Sequence, residues 1–573
     1  MNGRPAERRQ LAILAGHFFR RLFRNDMIDL EDQMKEKLII TLSLIAVFFS
    51  WAAWLMMFKY HFVPDLNSSW QEKTYLFLLT MPAFAVITLL EWDVMFPDRR
   101  DFLNLRPLPV RLRTLFAAKL ASFLMFIGLF SAAMMLVPSV LFAFYLAEWR
   151  VNSLAFEARY VLAHLVSGVA AGAAVFFVLL FVQFLLMAVL PEALHRRLAT
   201  LVRFALAAGL AFVFLSFVAA PSILGPWFRD FENLKARGDT VLAFFPPVWF
   251  AGLYETLLGT TEPFFKAAAA KAVAALLLAP LAFLGAAAIS YARHVRRTIE
   301  AARPARGRAR SGLRAAGRRL LDAAVFRAPE ERAVHGFFTR TLRASPRHRM
   351  PLVYAVASGA AVSLTLVAAY RQAFRALTPQ NGFLLVLPLI PAFSFIAGIR
   401  AVVDRPASLE ANWIFRLTES PRTRLYVSGL KKAVVLKFLA PWFGVVAVTH
   451  AMLWNVGTAA LHGLFGFVVS ALALEAVFFR YRKIPFACSW APGRLRLQYT
   501  AIPGAIGLLL VMMILAAIEK EILADPVRGL IYLGGAAAAG LGLRWGNRRF
   551  YRAATLLFDE EPLGSLIQLP NGD

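Results

Sequence analysis

Apolar and polar positions fall in long blocks along this chain rather than in the short periods of a soluble fold. Twelve apolar runs stand between short charged gaps: Leu38–Phe58, Tyr75–Phe96, Leu115–Leu146, Tyr160–Leu190, Leu201–Ala220 and Ala267–Ala292, then Met350–Tyr370, Phe383–Val403, Ala433–Trp454, Thr458–Phe479, Ala501–Ile518 and Gly529–Leu543. Each is near the length at which a helix crosses about 30 Å of hydrocarbon. Leu115–Leu146 and Tyr160–Leu190 are long enough to tilt or to extend beyond it. The pattern predicts an all-α polytopic membrane protein with about 12 transmembrane helices.

Shorter periodicities mark other elements. Leu11, Ile13, Leu14, Phe18, Phe19, Leu22 and Phe23 recur at helical spacing beside Arg20, Arg21 and Arg24, as in an amphipathic helix lying along a membrane interface. A second such segment, His335-Gly336-Phe337-Phe338-Thr339-Arg340, echoes Gly16-His17-Phe18-Phe19-Arg20-Arg21. At one fixed offset Leu105 matches Leu417, Pro109 matches Pro421, and Lys119 matches Lys431, each after the second run of its half. The chain thus reads as two six-helix repeats in the same orientation, each preceded by an amphipathic elbow helix. The expected divisions are 1–37, a cytoplasmic N-terminus with the first elbow; 38–292, the first six-span unit; 293–349, a basic linker with the second elbow; 350–545, the second six-span unit; and 546–573, a cytoplasmic tail.

The halves differ between their fifth and sixth runs. The first has a long segment there, Pro221 to Glu262, containing Phe244-Phe245-Pro246-Pro247-Val248-Trp249-Phe250. It is apolar and aromatic but too short and too proline-rich to cross, which fits a re-entrant or interfacial hairpin. Its counterpart, Glu519 to Arg528, is too short to hold one.

Composition agrees with the pattern. Of 573 residues 59% are hydrophobic and only 17% charged, more apolar surface than a soluble fold can hide. The formal net charge of +28 does not point to nucleic acid, because most of the cations sit in the gaps between apolar runs. Arg293 to Arg349 alone holds sixteen Arg and no Lys. Such a block stays on the cytoplasmic side of a membrane, which puts both termini there too. Arg-heavy usage, with thirteen Lys in all, is compatible with a GC-rich bacterial genome, and the expected location is a bacterial inner membrane.

Candidate chemistry is sparse. The single cysteine, Cys488, excludes an intramolecular disulfide and a Cys-cluster metal site. There is no Gly-x-x-x-x-Gly-Lys-Ser/Thr phosphate loop and no His-Glu-x-x-His. No residue is assigned a catalytic, cofactor-binding or metal-ligating role. Of the ionisable groups within spans, Glu475 and His164 are the best candidates for ion coupling, with Glu91 and Asp93 near a span end. The informative segments are the basic loops after the second and eighth spans. In the first, Leu103, Leu105 and Leu108 lead to paired prolines and a basic stretch, a pattern suited to a short helix docked on a soluble partner.

Together, Phe18-Phe19-Arg20-Arg21, the loop Leu103-Asn104-Leu105-Arg106-Pro107-Leu108-Pro109 running to Lys119, and the Phe245-Pro246-Pro247-Val248-Trp249-Phe250 segment resemble type-2 ABC exporter permeases. In the second half the resemblance rests on Gly336-Phe337-Phe338-Thr339-Arg340 and the loop from Asp404 to Lys431. It implies a permease moving a substrate on ATP hydrolysed by a separate subunit. The implied partners are a dimer of ABC ATP-binding subunits on the cytoplasmic face and the lipid bilayer, with no nucleic acid and no cofactor. By transferred position the coupling contacts would be Arg99, Arg100, Leu105, Pro109, Arg111 and Arg113, and Arg405, Leu417, Pro421, Arg422 and Arg424. The missing second hairpin departs from the family's pattern. The spans lack a polar cluster, which favours a hydrophobic or amphipathic substrate. Two other readings stay open on the residues. One is an ion-coupled secondary transporter using Glu475, and the other an integral membrane enzyme or scaffold.

Overall fold

The computed structural model describes residues 3–23, 42–55, 69–92, 110–147, 153–218, 230–300, 324–407, 412–418, 422–487 and 497–551, with 223, 420, 554, 556 and 557. The described residues are 86% helix, with no strand among them. Hydrocarbon offers backbone groups no water, so a spanning segment must satisfy its own N–H and C=O groups, and a helix does so within one segment. Nine helices among the described residues are long and apolar enough to cross a membrane, and the chain is a multi-pass membrane protein. They carry the second to tenth expected spans. The first falls on a shorter apolar helix, Leu42–Leu55. The last two lie within Leu497–Ala524 and Pro526–Phe550.

The chain divides into two compact units, Met1–Arg306 and Gly307–Asp573. The first contains α1 (Gly3–Phe23), α2 (Leu42–Leu55), α3 (Ser69–Leu90), α4 (Leu112–Ala147), α5 (Leu154–Val189), α6 (Glu192–Val218), α7 (Pro246–Leu257) and α8 (Pro263–Glu300). Its core is phenylalanine-rich: Phe77, Phe84, Phe123, Phe142, Phe176, Phe184 and Phe283 are all buried. Phe123 stacks on Phe176 at 5.4 Å, and Phe184 meets Phe283 edge-on at 5.3 Å. Gly172 admits Phe84, since a Cβ there would lie 2.9 Å from the ring. At 36 residues each, α4 and α5 run about 54 Å, well beyond the hydrocarbon.

Several boundaries differ from the sequence reading, the early starts of α5 at Leu154 and α6 at Glu192 among them. α3 starts at Ser69, six residues before the expected Tyr75, and takes in Glu72 and Lys73; Lys73 can lie inside because Glu255 pairs with it. α8 continues to Glu300, into the stretch expected to be linker.

The segment before α8 is built of short helices, Phe231–Ala236, Thr240–Ala243 and α7. Asp239 caps the second by accepting from Leu242 N at 2.9 Å. Pro246 and Pro247 open α7, where the missing N–H costs nothing. Twelve residues reach only about 18 Å, too short to cross. Gly252 lets α7 press on α8, where a Cβ would come within 2.9 Å of the Phe265 carbonyl oxygen.

The second unit contains α9 (Pro329–Ala344), α10 (Pro346–Ala369), α11 (Leu389–Val403), α12 (Asn412–Leu417), α13 (Thr423–Val434), α14 (Ala440–Ala451), α15 (Val456–Val477), α16 (Leu497–Ala524) and α17 (Pro526–Phe550). A short helix, Gly382–Val386, precedes α11. α13 and α14 form one span joined by a single π turn, Val435–Leu439, where Ala440 N donates to Val435 O. Pro441 explains the turn: it has no N–H for the Lys437 carbonyl, and its ring would crowd that oxygen in a regular helix. Gly466 on α15 faces the Phe443 ring, and Gly463 faces the Phe443 carbonyl oxygen, 3.1 Å from where a Cβ would sit.

Candidate functional site

Of the described residues singled out in the loop after α11, Leu417, Arg422 and Arg424 are exposed and Arg405 is not. α12 exposes Ile414 and Leu417, the latter at 78%, and Arg422 and Arg424 beyond it are exposed. A six-residue helix holding an almost fully exposed leucine cannot be stable by burial of its own side chains. It is held through Phe415, whose ring lies 5.3 Å from Phe337 on α9. Pro421 lies outside the described residues. Arg405 is half-buried, and its carbonyl oxygen lies 3.2 Å from His348 Nε2, so it belongs to the anchor of the loop rather than to its open face.

α9 is itself fixed to α13 by a buried carboxylate. Glu331, 3% exposed, accepts from Lys432 Nζ at 2.6 and 2.7 Å and from Ser428 Oγ at 2.6 Å. Burial pushes its carboxyl up, but these bonds and the lysine's charge pull further the other way, so it sits below the usual carboxylate range. Gly429 makes the contact close: a Cβ there would lie 2.8 Å from the Glu331 carbonyl oxygen. Lys432 also donates to the Val325 carbonyl at 3.0 Å, and Ser420 Oγ to Glu330 at 3.0 Å.

Phe486 closes the assembly. Its ring stacks on Phe338 at 5.7 Å and meets Phe337 and His348 edge-on. Its backbone N donates to Val403 O at 2.8 Å, and its carbonyl accepts from Ala407 N at 2.7 Å. Its φ is 63°, a conformation that costs a bulky residue of order 1–3 kcal/mol and persists only where the surroundings dictate it. α9, α11, the 404–407 turn and α12 thus converge on one aromatic cluster.

In the first unit Arg99, Arg100, Leu105 and Pro109 lie outside the described residues. Arg111 and Arg113 are exposed and reach Glu7 of α1 at 3.5 and 3.8 Å. Pairs this open contribute under about 1 kcal/mol, and they guide α1 onto the start of α4 more than they hold it.

The acid and the base singled out within spans have different settings. Glu475 is clamped between Lys431 Nζ at 2.6 Å and Arg544 Nε at 2.9 Å, which accounts for it as an ion triad. His164 is fully buried, with neither ring nitrogen hydrogen-bonded, its ring 5.4 Å from Tyr254 and 5.1 Å from Phe142.

Two pairs escaped the sequence reading. Lys73, 1% exposed, binds Glu255 Oε1 at 2.5 Å, with its Nζ 4.5 Å from the Tyr254 ring centre and 5.4 Å from that of Tyr160. His462 Nδ1 lies 2.6 Å from Glu519 Oε1, both side chains at 2% exposure or less. The only signal of either was a charged or imidazole residue near the end of an apolar run, which usually marks a span edge. Among the described residues no three His, Cys, Asp or Glu are grouped to hold a metal ion.

α2 and α4 border an apolar groove of about 510 Å³ lined by Ala46, Val47, Ser50, Trp51, Trp54, Val137 and Leu141. No family model, no curated protein and no solved structure matches the chain.

Proposed function

We propose that this chain is the membrane-spanning permease subunit of an ABC-type exporter, docked through α12 on a separate ATP-binding subunit. The observation that carries the reading is α12 itself. It is a short helix between two spans, exposing Ile414 and Leu417 beside Arg422 and Arg424, and braced from behind through Phe415 on Phe337. Exposed apolar side chains beside two exposed cations suit an apolar groove with an acidic edge on a soluble partner. The chain carries no phosphate-loop motif of its own, so the energy source lies in that partner. On this reading the chain has twelve spans with both ends in the cytoplasm of a bacterium, and α1 and α9 are the elbow helices. ATP-driven closure of a partner dimer moves α12, and the spans exchange inward- and outward-facing packings. The Trp51 and Trp54 groove supports a hydrophobic or amphipathic substrate.

The test is purification of the tagged full chain from its own membranes in mild detergent, beside Leu417→Glu and the pair Arg422→Glu with Arg424→Glu. These side chains are exposed, so the variants should keep the parent's helical content and unfolding midpoint. The expected result is a Walker-motif ATPase recovered with the parent and reduced at least tenfold with either variant, a loss of about 1.4 kcal/mol of binding. An ATPase recovered equally with all three, or none recovered with the parent, overturns the reading.

A further inference from the structure

The two units place a histidine at the same point of corresponding helices. His164 on α5 is followed four residues later by Gly168, which packs on Met135 of α4. His462 on α15 is followed four residues later by Gly466, which packs on Phe443 of α14. Both rings are buried at 2% exposure or less. What surrounds them differs in sign. In the first unit His164 and the Lys73 ammonium lie against the same Tyr254 ring, at 5.4 and 4.5 Å from its centre. A fixed cation across one ring opposes a second positive charge there. In the second unit the neighbour is an acid, Glu519, 2.6 Å from His462 Nδ1.

We propose that His462 and Glu519 form a proton-binding site within the second unit, with His450 as its neighbouring base. With no added proton the pair carries one negative charge. One proton, shared along the 2.6 Å contact, brings it to zero, and a second would make it positive. Burial at 2% and 0% exposure penalises both charged extremes and leaves the singly protonated pair as the resting form. The site has capacity for exchange because its outer atoms are unused: His462 Nε2, Glu519 Oε2 and His450 Nε2 are all buried without a hydrogen-bond partner. His450 Nδ1 lies 2.9 Å from the Val446 carbonyl, which can only accept, so Nδ1 carries the hydrogen and Nε2 is a bare acceptor. The His450 and His462 ring centres are 4.6 Å apart, and Trp454 lies 4.6 and 5.4 Å from them. The titratable groups placed against His462 are therefore Glu519 from α16 and His450 from α14, and the turn before α15 contributes only an indole. Binding is a plain protonation: water supplies the proton, and no bond other than N–H or O–H forms or breaks.

The experiment is infrared difference spectroscopy of the full chain in liposomes, titrated with acid in H2O and in D2O, without any partner subunit. The expected result is a protonated-carboxyl C=O band that shifts in D2O, changes with pH, vanishes in Glu519→Gln and moves in His462→Gln. Histidine-labelled protein without substitution gives a second readout: two of its nine rings should change their 15N shifts over the pH range in which the band changes. Wild-type and Glu519→Gln titrations that superimpose overturn the proposal, as does a Glu519 band that does not respond to pH. Should Glu519→Gln fail to fold, 15N spectra in which no ring titrates together with a carboxyl band overturn it as well. None of these outcomes depends on whether an ATPase binds α12.

Discussion

Replacing Glu331 by Gln keeps the shape of the side chain and removes its charge. Three hydrogen bonds end on this carboxylate, two from Lys432 and one from Ser428. The amide oxygen of Gln can still accept one of them, but its NH2 would face the lysine, donor against donor. Breaking a buried ion pair by removing one partner costs about 3–5 kcal/mol. Lys432 is 35% exposed and keeps its bond to the Val325 carbonyl, which places the expected loss near the lower end, about 3 kcal/mol. Unfolding of the purified chain in mixed micelles, followed by helical circular dichroism, reads that loss directly. Glu331→Gln combined with Lys432→Met should cost less than the sum of the two single changes, because both remove one interaction. The pH dependence has a definite sign. The folded carboxyl lies below its unfolded value of about 4.3. Its contribution is therefore complete above that value and is lost as pH falls through the lower folded one. Glu331→Gln should lack this step. A cost under about 0.5 kcal/mol, the size of an ordinary surface change, with the acid step intact, would refute the account of Glu331 as the brace between α9 and α13.

Two further changes probe packing and charge elsewhere. Gly429→Ala puts a methyl 2.8 Å from the Glu331 carbonyl oxygen and 2.9 Å from its Cα, backbone atoms that cannot swing aside; it should cost about 1–3 kcal/mol in the same unfolding assay, and a neutral result would mean that α9 and α13 separate freely. Lys73→Met strands Glu255, and Glu255→Gln strands a lysine at 1% exposure; each should destabilise the chain, while the double change should recover most of the loss, a coupling of about 3 kcal/mol in a double-mutant cycle.

The helical, membrane-spanning character was legible because it is written in run length, a property each residue contributes to independently. Its edges were less so. Tyr75 looked like the start of a span because Glu72 and Lys73 precede it, and the partner Glu255, 182 residues away from Lys73, makes that lysine compatible with a helix already packed. The same limit hid His462–Glu519, whose members lie 57 residues apart. Glu475 was visible as an acid in a span, but its meaning depended on Lys431 and Arg544, which only the packing of α13, α15 and α17 supplies. Leu417, Arg422 and Arg424 were singled out by the repeat offset and by position in the resemblance, and what the packing adds is that all three are exposed.

The stiff and the compliant parts of the second unit lie in one helix. α13 is tied to α9 through Glu331, Lys432 and Gly429, and α9 to α12 through Phe337 and Phe415. On the proposed reading, a displacement of α12 reaches α13 through the Phe337 and Phe415 rings and then through α9, whose backbone sits against α13 at Gly429. Immediately beyond lies the π turn at Val435–Leu439, imposed by Pro441, where the hydrogen-bond ladder changes register and bending is cheapest. α14 follows, and near its end stands His450, against His462 and Trp454. On the proposed reading, force from the partner enters at α12 and is delivered at the π turn. The direction of α14 decides how closely His450 approaches the His462–Glu519 pair. Docking and proton binding would then be linked through a single span, and each would alter the other by the same factor.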